Sequence, residues 1–169
     1  WPWSRQQLAD LVNAIDQAGA QLQLHDIVYP EAKPGDAALL AALLSARGAV
    51  LAQLPILQPG QSTRAGTMTH PLSGVTCNAA EGIQLANAVG FLAPQSSFAA
   101  IPKGHITPVI ASDGAIRKTP AVVCVEGAAY PALALTALLQ TGGNQNWQGS
   151  INPGSSPLDP AYILSFDAY

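Results

Sequence analysis

The chain reads as a single α/β domain, a mixed β-sheet with flanking helices and one Asp-Gly β-hairpin. Three observations lead there. Helical stripes alternate with short apolar runs of strand character through the first third of the chain. Asp113-Gly114 separates two β-rich runs, and Asp-Gly is the strongest short-range hairpin signal, because a type I′ turn needs positive φ at both central residues. A length of 169 residues with 49% apolar side chains suits one core in one domain spanning residues 1–169.

The first element is a helix over Arg5 to Ala18. Leu8, Leu11, Val12 and Ile15 fall at i, i+3, i+4 and i+7, one stripe of a 3.6-residue period. Burying all four contributes about 6–12 kcal/mol before the entropy cost. Ser4 is the N-cap and Gly19 the C′ residue. In the next segment, "AQLQLHDIVYP", Leu22 and Leu24 alternate with Gln21, Gln23 and His25, which is strand period. Asp36 is the N-cap of a second helix over Ala37 to Arg47. Its stripe is Leu39, Leu40, Leu43 and Leu44, and Gly48 ends it. "AVLAQLPIL" is a second buried strand. Helix, strand, helix, strand with short connections gives a right-handed crossover and a parallel pair.

Gln58 to Gly74 is rich in Gly, Pro, Ser and Thr and reads as a long surface loop. Cys77 to Ala88 is ambiguous, with Ile83, Leu85 and Ala86 able to sit on a short helix, and one helical turn is expected at Ser97 to Ala100. "GHITPVIASDGAIRKTPAVVCVEG" then forms the hairpin, with Pro108 and Pro120 placing parts of it at a sheet edge. "YPALALTALLQ" is a helix with Pro131 in its first turn, ended by Gly142-Gly143. The tail turns apolar at "AYILSF", the start of another element.

Composition excludes several functions. Charged residues make up 10%, against about a quarter in ordinary domains. Net charge is −3, and the seven basic residues are scattered, so no positive stripe tracks a nucleic-acid backbone. Nor is there a basic amphipathic helix for a membrane surface. The longest apolar stretch, Pro131 to Leu139, is far short of the roughly 20 residues that span a bilayer. The chain starts at Trp1 without a signal sequence and is expected to be a piece of a longer protein. Trp1 and Trp3 fit the belt just outside a membrane helix.

No phosphate loop, dinucleotide-binding glycine pattern, HExxH or GxSxG occurs. His25, His70 and His105 are isolated from one another and from both cysteines, so neither a metal nor another cofactor is expected. Cys77 and Cys124 allow one disulfide or two buried thiols. A bridge would close a loop of about fifty residues and add about 3–4 kcal/mol. Asp26 sits where a strand meets a loop, the usual place of a functional carboxylate in an open α/β sheet, although a capping or ion-pairing role is commoner. His25, pointing away from Leu24, reads as a rim histidine. His105 opens the hairpin and either meets a ligand or is a satisfied edge histidine. Arg117 either grips an anionic ligand or pairs with a carboxylate, Asp26 or Asp36. Asp113 and Gly114 serve turn geometry.

The order of these features resembles the second type of CHASE domain, the extracellular sensory module of bacterial histidine kinases, adenylate cyclases and diguanylate cyclases. The opening helix, "AGA" and a strand ending "HDIVYPE" match the family's Asp, aromatic and acidic positions at Asp26, Tyr29 and Glu31. "GDAALLAALLSARGAVLAQ" matches its Asp, at Asp36, with its Leu/Ala helix and following strand. "GHITPVIASDGAIRKTP" matches Gly104, His105, Asp113, Gly114 and Arg117, and "YPALALTALL" the helix after the hairpin. A second acidic residue, two before the hairpin Asp in the family, is Ala111 here, and the resemblance does not align Arg64 to Pro102. The resemblance implies a periplasmic or extracellular domain joined to the membrane only through flanking helices, with an output domain elsewhere in the chain. It implies no catalytic residues.

The expected function is therefore a non-enzymatic sensor domain that binds a small-molecule or peptide signal, with Asp26, Glu31, Asp36, His105 and Arg117 as candidate ligand-binding residues. A ligand-free module that dimerises or meets a partner protein stands second. A periplasmic hydrolase stands a distant third, since no spacing nominates a triad.

Overall fold

Ser4 starts the first helix as the sequence requires. In the computed structural model, which describes residues 3–60, 62–77, 85–110, 112–142, 147–153 and 162–168, the Ser4 hydroxyl accepts from the Gln7 backbone N–H while the Gln7 side chain accepts from the Ser4 N–H. This capping box opens α1 (Arg5–Gln17), and Gly19, at φ 96°, follows its C-cap. Leu8 and Val12 are buried, but Leu11 and Ile15 are 41% and 36% exposed. The buried face is instead Arg5, Leu8, Ala9 and Val12, so only about half of the expected burial energy is realised.

β1 (Gln23–His25) inverts the expected alternation. Gln23 is buried, its Nε2 donating to Val12 O at the C-terminal half of α1, while Leu24 is 49% exposed. The apolar residue of the alternation faces outward because the helical layer recruits Gln23 through a backbone carbonyl. α2 (Asp36–Ser45) starts one residue earlier than expected, with Gly35 at φ 89° as its N-cap. Only a residue without a Cβ takes that conformation readily, and the turn brings Gly35 against Arg5 Cβ. Leu39 and Leu43 are buried, whereas Leu44 is exposed. Arg5 meets Asp36 at the starts of the two helices and Asp16 meets the Arg47 N–H at their ends, so α1 and α2 run parallel.

β2 (Ala49–Ile56) is the central strand. Its first half lies parallel to β1 and to β6 (Lys103–His105); its second half pairs antiparallel with β5 (Gly90–Leu92), which pairs with β3 (Arg64–Ala65). The crossover from β1 through α2 to β2 gives the parallel pair expected from the element order. Leu8, Val12, Leu39, Leu43, Leu51, Tyr29 and Phe98 form the core between the two helices and this sheet. The expected helical turn is a 3-10 turn at Ser96–Phe98.

The run read as one hairpin is divided among four strands. β7 (Val109–Ile110) and β8 (Ile116–Lys118) do pair antiparallel around Asp113-Gly114, but with a register shift and a connection longer than two residues. Gly114 has φ 81° while Asp113 does not have positive φ, so a type I′ Asp-Gly turn is not formed. The two-residue turn falls at Glu126-Gly127, φ 50° and 86°, between β9 (Val122–Val125) and β10 (Ala128–Pro131). Gly127 supplies the second left-handed position, and paired strands on both sides hold Glu126 in the first. Tyr130 and Pro131 thus belong to a strand rather than to a helix, and α3 (Leu133–Thr141) begins after them. β9 also pairs with β4 (Ala86–Asn87), and this three-stranded sheet forms a second core with Val75 and Leu85. The Cys77–Cys124 disulfide ties that core to the preceding loop. The apolar tail forms β12 (Tyr162–Ala168), paired with β11 (Trp147–Pro153). Trp1 lies outside the described residues, and Trp3 is 49% exposed. Among the described residues, no helix is long and apolar enough to cross a membrane.

Candidate functional site

Some of the residues singled out in the sequence are tied into the framework, and others lie at the surface. Asp36, expected as a cap, turns its carboxylate to Arg5, accepting from Nε at 2.8 Å, and also accepts from the Lys33 N–H and the Gln95 side-chain amide. The pair is buried, with side chains 8% and 14% exposed. The Arg5 guanidinium lies 4.3 Å over the Tyr29 ring, a favourable place for a cation. Asp36 therefore joins α1, α2 and the segment before the 3-10 turn, and its ionic partner is Arg5. Asp26 and Glu31 are exposed. Arg117 lies on β8, and its side chain is outside the described residues. Asp113 accepts from the Ala115 N–H, which closes the turn locally.

His105 is 1% exposed on β6. Its Nδ1 accepts from the Thr107 N–H at 3.3 Å, which places the proton on Nε2, an atom that is buried without a protein partner. Burial pushes its pKa down to about 4, so it is neutral at pH 7. His25, read as a rim histidine, is half-buried, and burial lowers its pKa as well.

A cavity of about 170 Å³ lies elsewhere, between the loop at residues 70–73, the start of β6 and the face of α3. His70, Ser73, Lys103, Pro131, Thr136 and Gln140 are among its walls. Each wall has a local cause. Gln53, fully buried in β2, holds the loop by exchanging two hydrogen bonds with the Thr69 backbone. His70 follows with φ 62°, a left-handed conformation that costs a non-glycine residue about 1–3 kcal/mol. Its Nδ1 lies 3.1 Å from Thr69 Oγ1. α3 sits directly on β6 because position 104 is glycine: a Cβ there would stand 2.4 Å from Leu133 Cα. Thr136 Oγ1 donates to Lys103 O across the same contact.

Lys103 is the unusual member. It is fully buried, and its Nζ donates to Phe98 O at 2.7 Å and Ile101 O at 3.1 Å. Burial pushes its pKa down to about 8, so it is still mostly charged at pH 7. Among the described residues it has no carboxylate partner. His70 titrates below its ordinary value through burial first and the positive charge of Lys103 second. Among the described residues, no Asp or Glu is among the cavity's walls. The arrangement therefore offers nitrogen and hydroxyl donors without an acid to neutralise them. No cluster of three or more His, Cys, Asp or Glu side chains able to hold a metal ion occurs among the described residues.

Sequence reasoning missed both nitrogen-bearing walls, His70 and Lys103. His70 lies in a stretch with no periodicity, and nothing local marks it. Lys103 opens a strand whose three residues are all buried, a place where a lysine is rare, but that burial shows only in the fold.

No curated protein and no solved structure matches the chain. The family model described as the CHASE2 domain matches residues 1–166. CHASE2 domains are extracellular or periplasmic sensor modules of signalling receptors, and with that match covering nearly its whole length the chain belongs to the CHASE2 domain family.

Proposed function

We propose that this chain is the ligand-binding sensor of a transmembrane receptor with a histidine kinase, adenylate cyclase or diguanylate cyclase output, and that it catalyses no reaction itself. Membership in the CHASE2 family over residues 1–166 carries the reading. A small molecule or peptide that binds one conformational state better than another shifts the receptor between outputs. The cavity beside β6, with apolar and polar groups in equal share among its walls and α3 on one side, supports the ligand-binding part.

The test has two stages. Hydropathy of the parent gene is expected to show an apolar span of about twenty residues before Trp1 and more after Tyr169, with a signalling domain beyond. Replacing residues 1–169 by a flexible linker in that receptor is then expected to abolish its response. Soluble flanks, or an unchanged response after replacement, overturn the proposal.

A second reading, dimerisation through the helical layer, is favoured by Leu11, Ile15 and Leu44, which lie exposed on α1 and α2. Sedimentation tests it: a monomer at high concentration counts against it.

A further inference from the structure

Two observations at the β6–α3 cavity are independent of the family match. The first is the buried ammonium of Lys103, which two backbone carbonyls hold in place and no carboxylate neutralises among the described residues. Burying a charge is costly unless an opposite charge offsets it, and carbonyl dipoles do so only in part. The second is the composition of the walls. His70 and Ser73 from the loop and Gln140 from α3 bring donors, Lys103 brings charge, and no acid stands among the described walls. The chain as a whole carries a net charge of −3, so this acid-free wall runs against the overall balance. His70 is held in a left-handed backbone conformation by the Gln53 clamp on Thr69, which fixes the loop that brings its ring to the cavity wall.

We propose that this cavity is the binding site for a small oxyanion, a carboxylate or phosphate group on a ligand of few atoms. The proposal rests on the sensor reading for its biological meaning and deepens it by naming the ligand class. A cavity of about 170 Å³ is smaller than the roughly 300–1,000 Å³ pockets of drug-sized ligands, so the anionic group itself is the main occupant. His70 is the accessible recognition residue: it is exposed at the rim, its neutral ring has one N–H to donate to an oxyanion, and a bound anion then favours the imidazolium. Lys103 sets the positive potential from behind the wall, and Ser73 adds a hydroxyl donor.

The experiment uses the whole domain and two probes, inorganic phosphate and acetate, titrated at constant ionic strength. Melting temperature and the His70 ring resonances are followed together. The expected result is a saturable rise in melting temperature with an upward shift of the His70 pKa, because a bound anion favours the imidazolium. A response to phosphate alone assigns a phosphate-bearing ligand; a response to acetate alone assigns a carboxylate. His70→Ala and Ser73→Ala, both at exposed positions, should each fold, and His70→Ala should weaken binding roughly tenfold or more through loss of a charge-assisted hydrogen bond. Arg64→Gln, on the exposed β3, should bind as the parent does. Flat titrations with both probes, or an unchanged response in His70→Ala, overturn the anion assignment. That failure is separable from failure of the sensor reading. Flat titrations beside a receptor whose output still needs the domain reject the anion alone. A His70-dependent titration beside an output indifferent to the domain rejects the sensor alone.

Discussion

Reduction of the Cys77–Cys124 bond gives the most direct test of how the second core is held. The bond joins positions 47 residues apart, with Cα atoms 5.8 Å apart. In the chain-entropy treatment, a cross-link over that separation removes about 4 kcal/mol of conformational freedom from the unfolded state at 25 °C. For a domain of this size, each kcal/mol moves the melting temperature by about 2–4 °C. Full reduction should therefore lower it by about 8–16 °C. The folded structure should persist, because β9 remains paired to β10 and β4 and because Val75, Leu85 and Val122 pack without the sulfurs' covalent help. The assay is calorimetry with and without dithiothreitol, beside the Cys77→Ser variant. Cys77 is the better site for substitution, since it is half-buried while Cys124 is 1% exposed. A thiol titration of the denatured protein should find no free cysteine before reduction. A fall of less than about 2 °C would refute the loop-restraint argument.

Three further outcomes are expected. Asp36→Ala should cost about 3–5 kcal/mol, because it leaves the Arg5 guanidinium buried without its anion, while Arg5→Met combined with Asp36→Leu should recover most of that; urea midpoints in a double-mutant cycle decide. Stability should fall as pH drops from about 6.5 toward 4, because the unfolded chain protonates His105 near its ordinary value while the folded one resists down to about 4. The full loss is about 3 kcal/mol, His25 and His70 shift in the same direction, and His105→Asn should flatten part of the slope measured between pH 4.5 and 7. Leu24→Gln should change stability by no more than about 0.5 kcal/mol, whereas Val12→Ala, which removes both γ-methyls from a fully buried position, should cost more than 1 kcal/mol; equal costs would contradict the side-chain orientation seen in β1.

Local signals were legible where local energy decides the outcome. The Ser4 cap, the span of α1 and the parallel pair around α2 all follow from residues adjacent in sequence. Failures occur where a distant group intervenes. Leu24 faces outward because Val12 O engages Gln23 from another element. Asp36 leaves its expected capping role because Arg5 stands opposite, 31 residues away. The tight turn moved from Asp113-Gly114, the better dipeptide, to Glu126-Gly127, where two paired strands leave no room for a longer connection. The cavity was illegible for the same reason. Its walls come from a loop without periodicity, one end of a strand and one face of a helix, and only folding brings Lys103 and His70 close enough to affect each other. Of the residues chosen from sequence, Asp36 is tied into the framework by its pair with Arg5, and His105 is buried on β6.

Gly104 has a consequence for how α3 rides on the sheet. Where α3 meets β6, the closest approach is set by two main chains, with no side chain between them to rotate or compress. A displacement of α3 toward the sheet is therefore not absorbed by side-chain rearrangement at that point. It passes to β6, and from β6 to the central strand β2 with which it is paired.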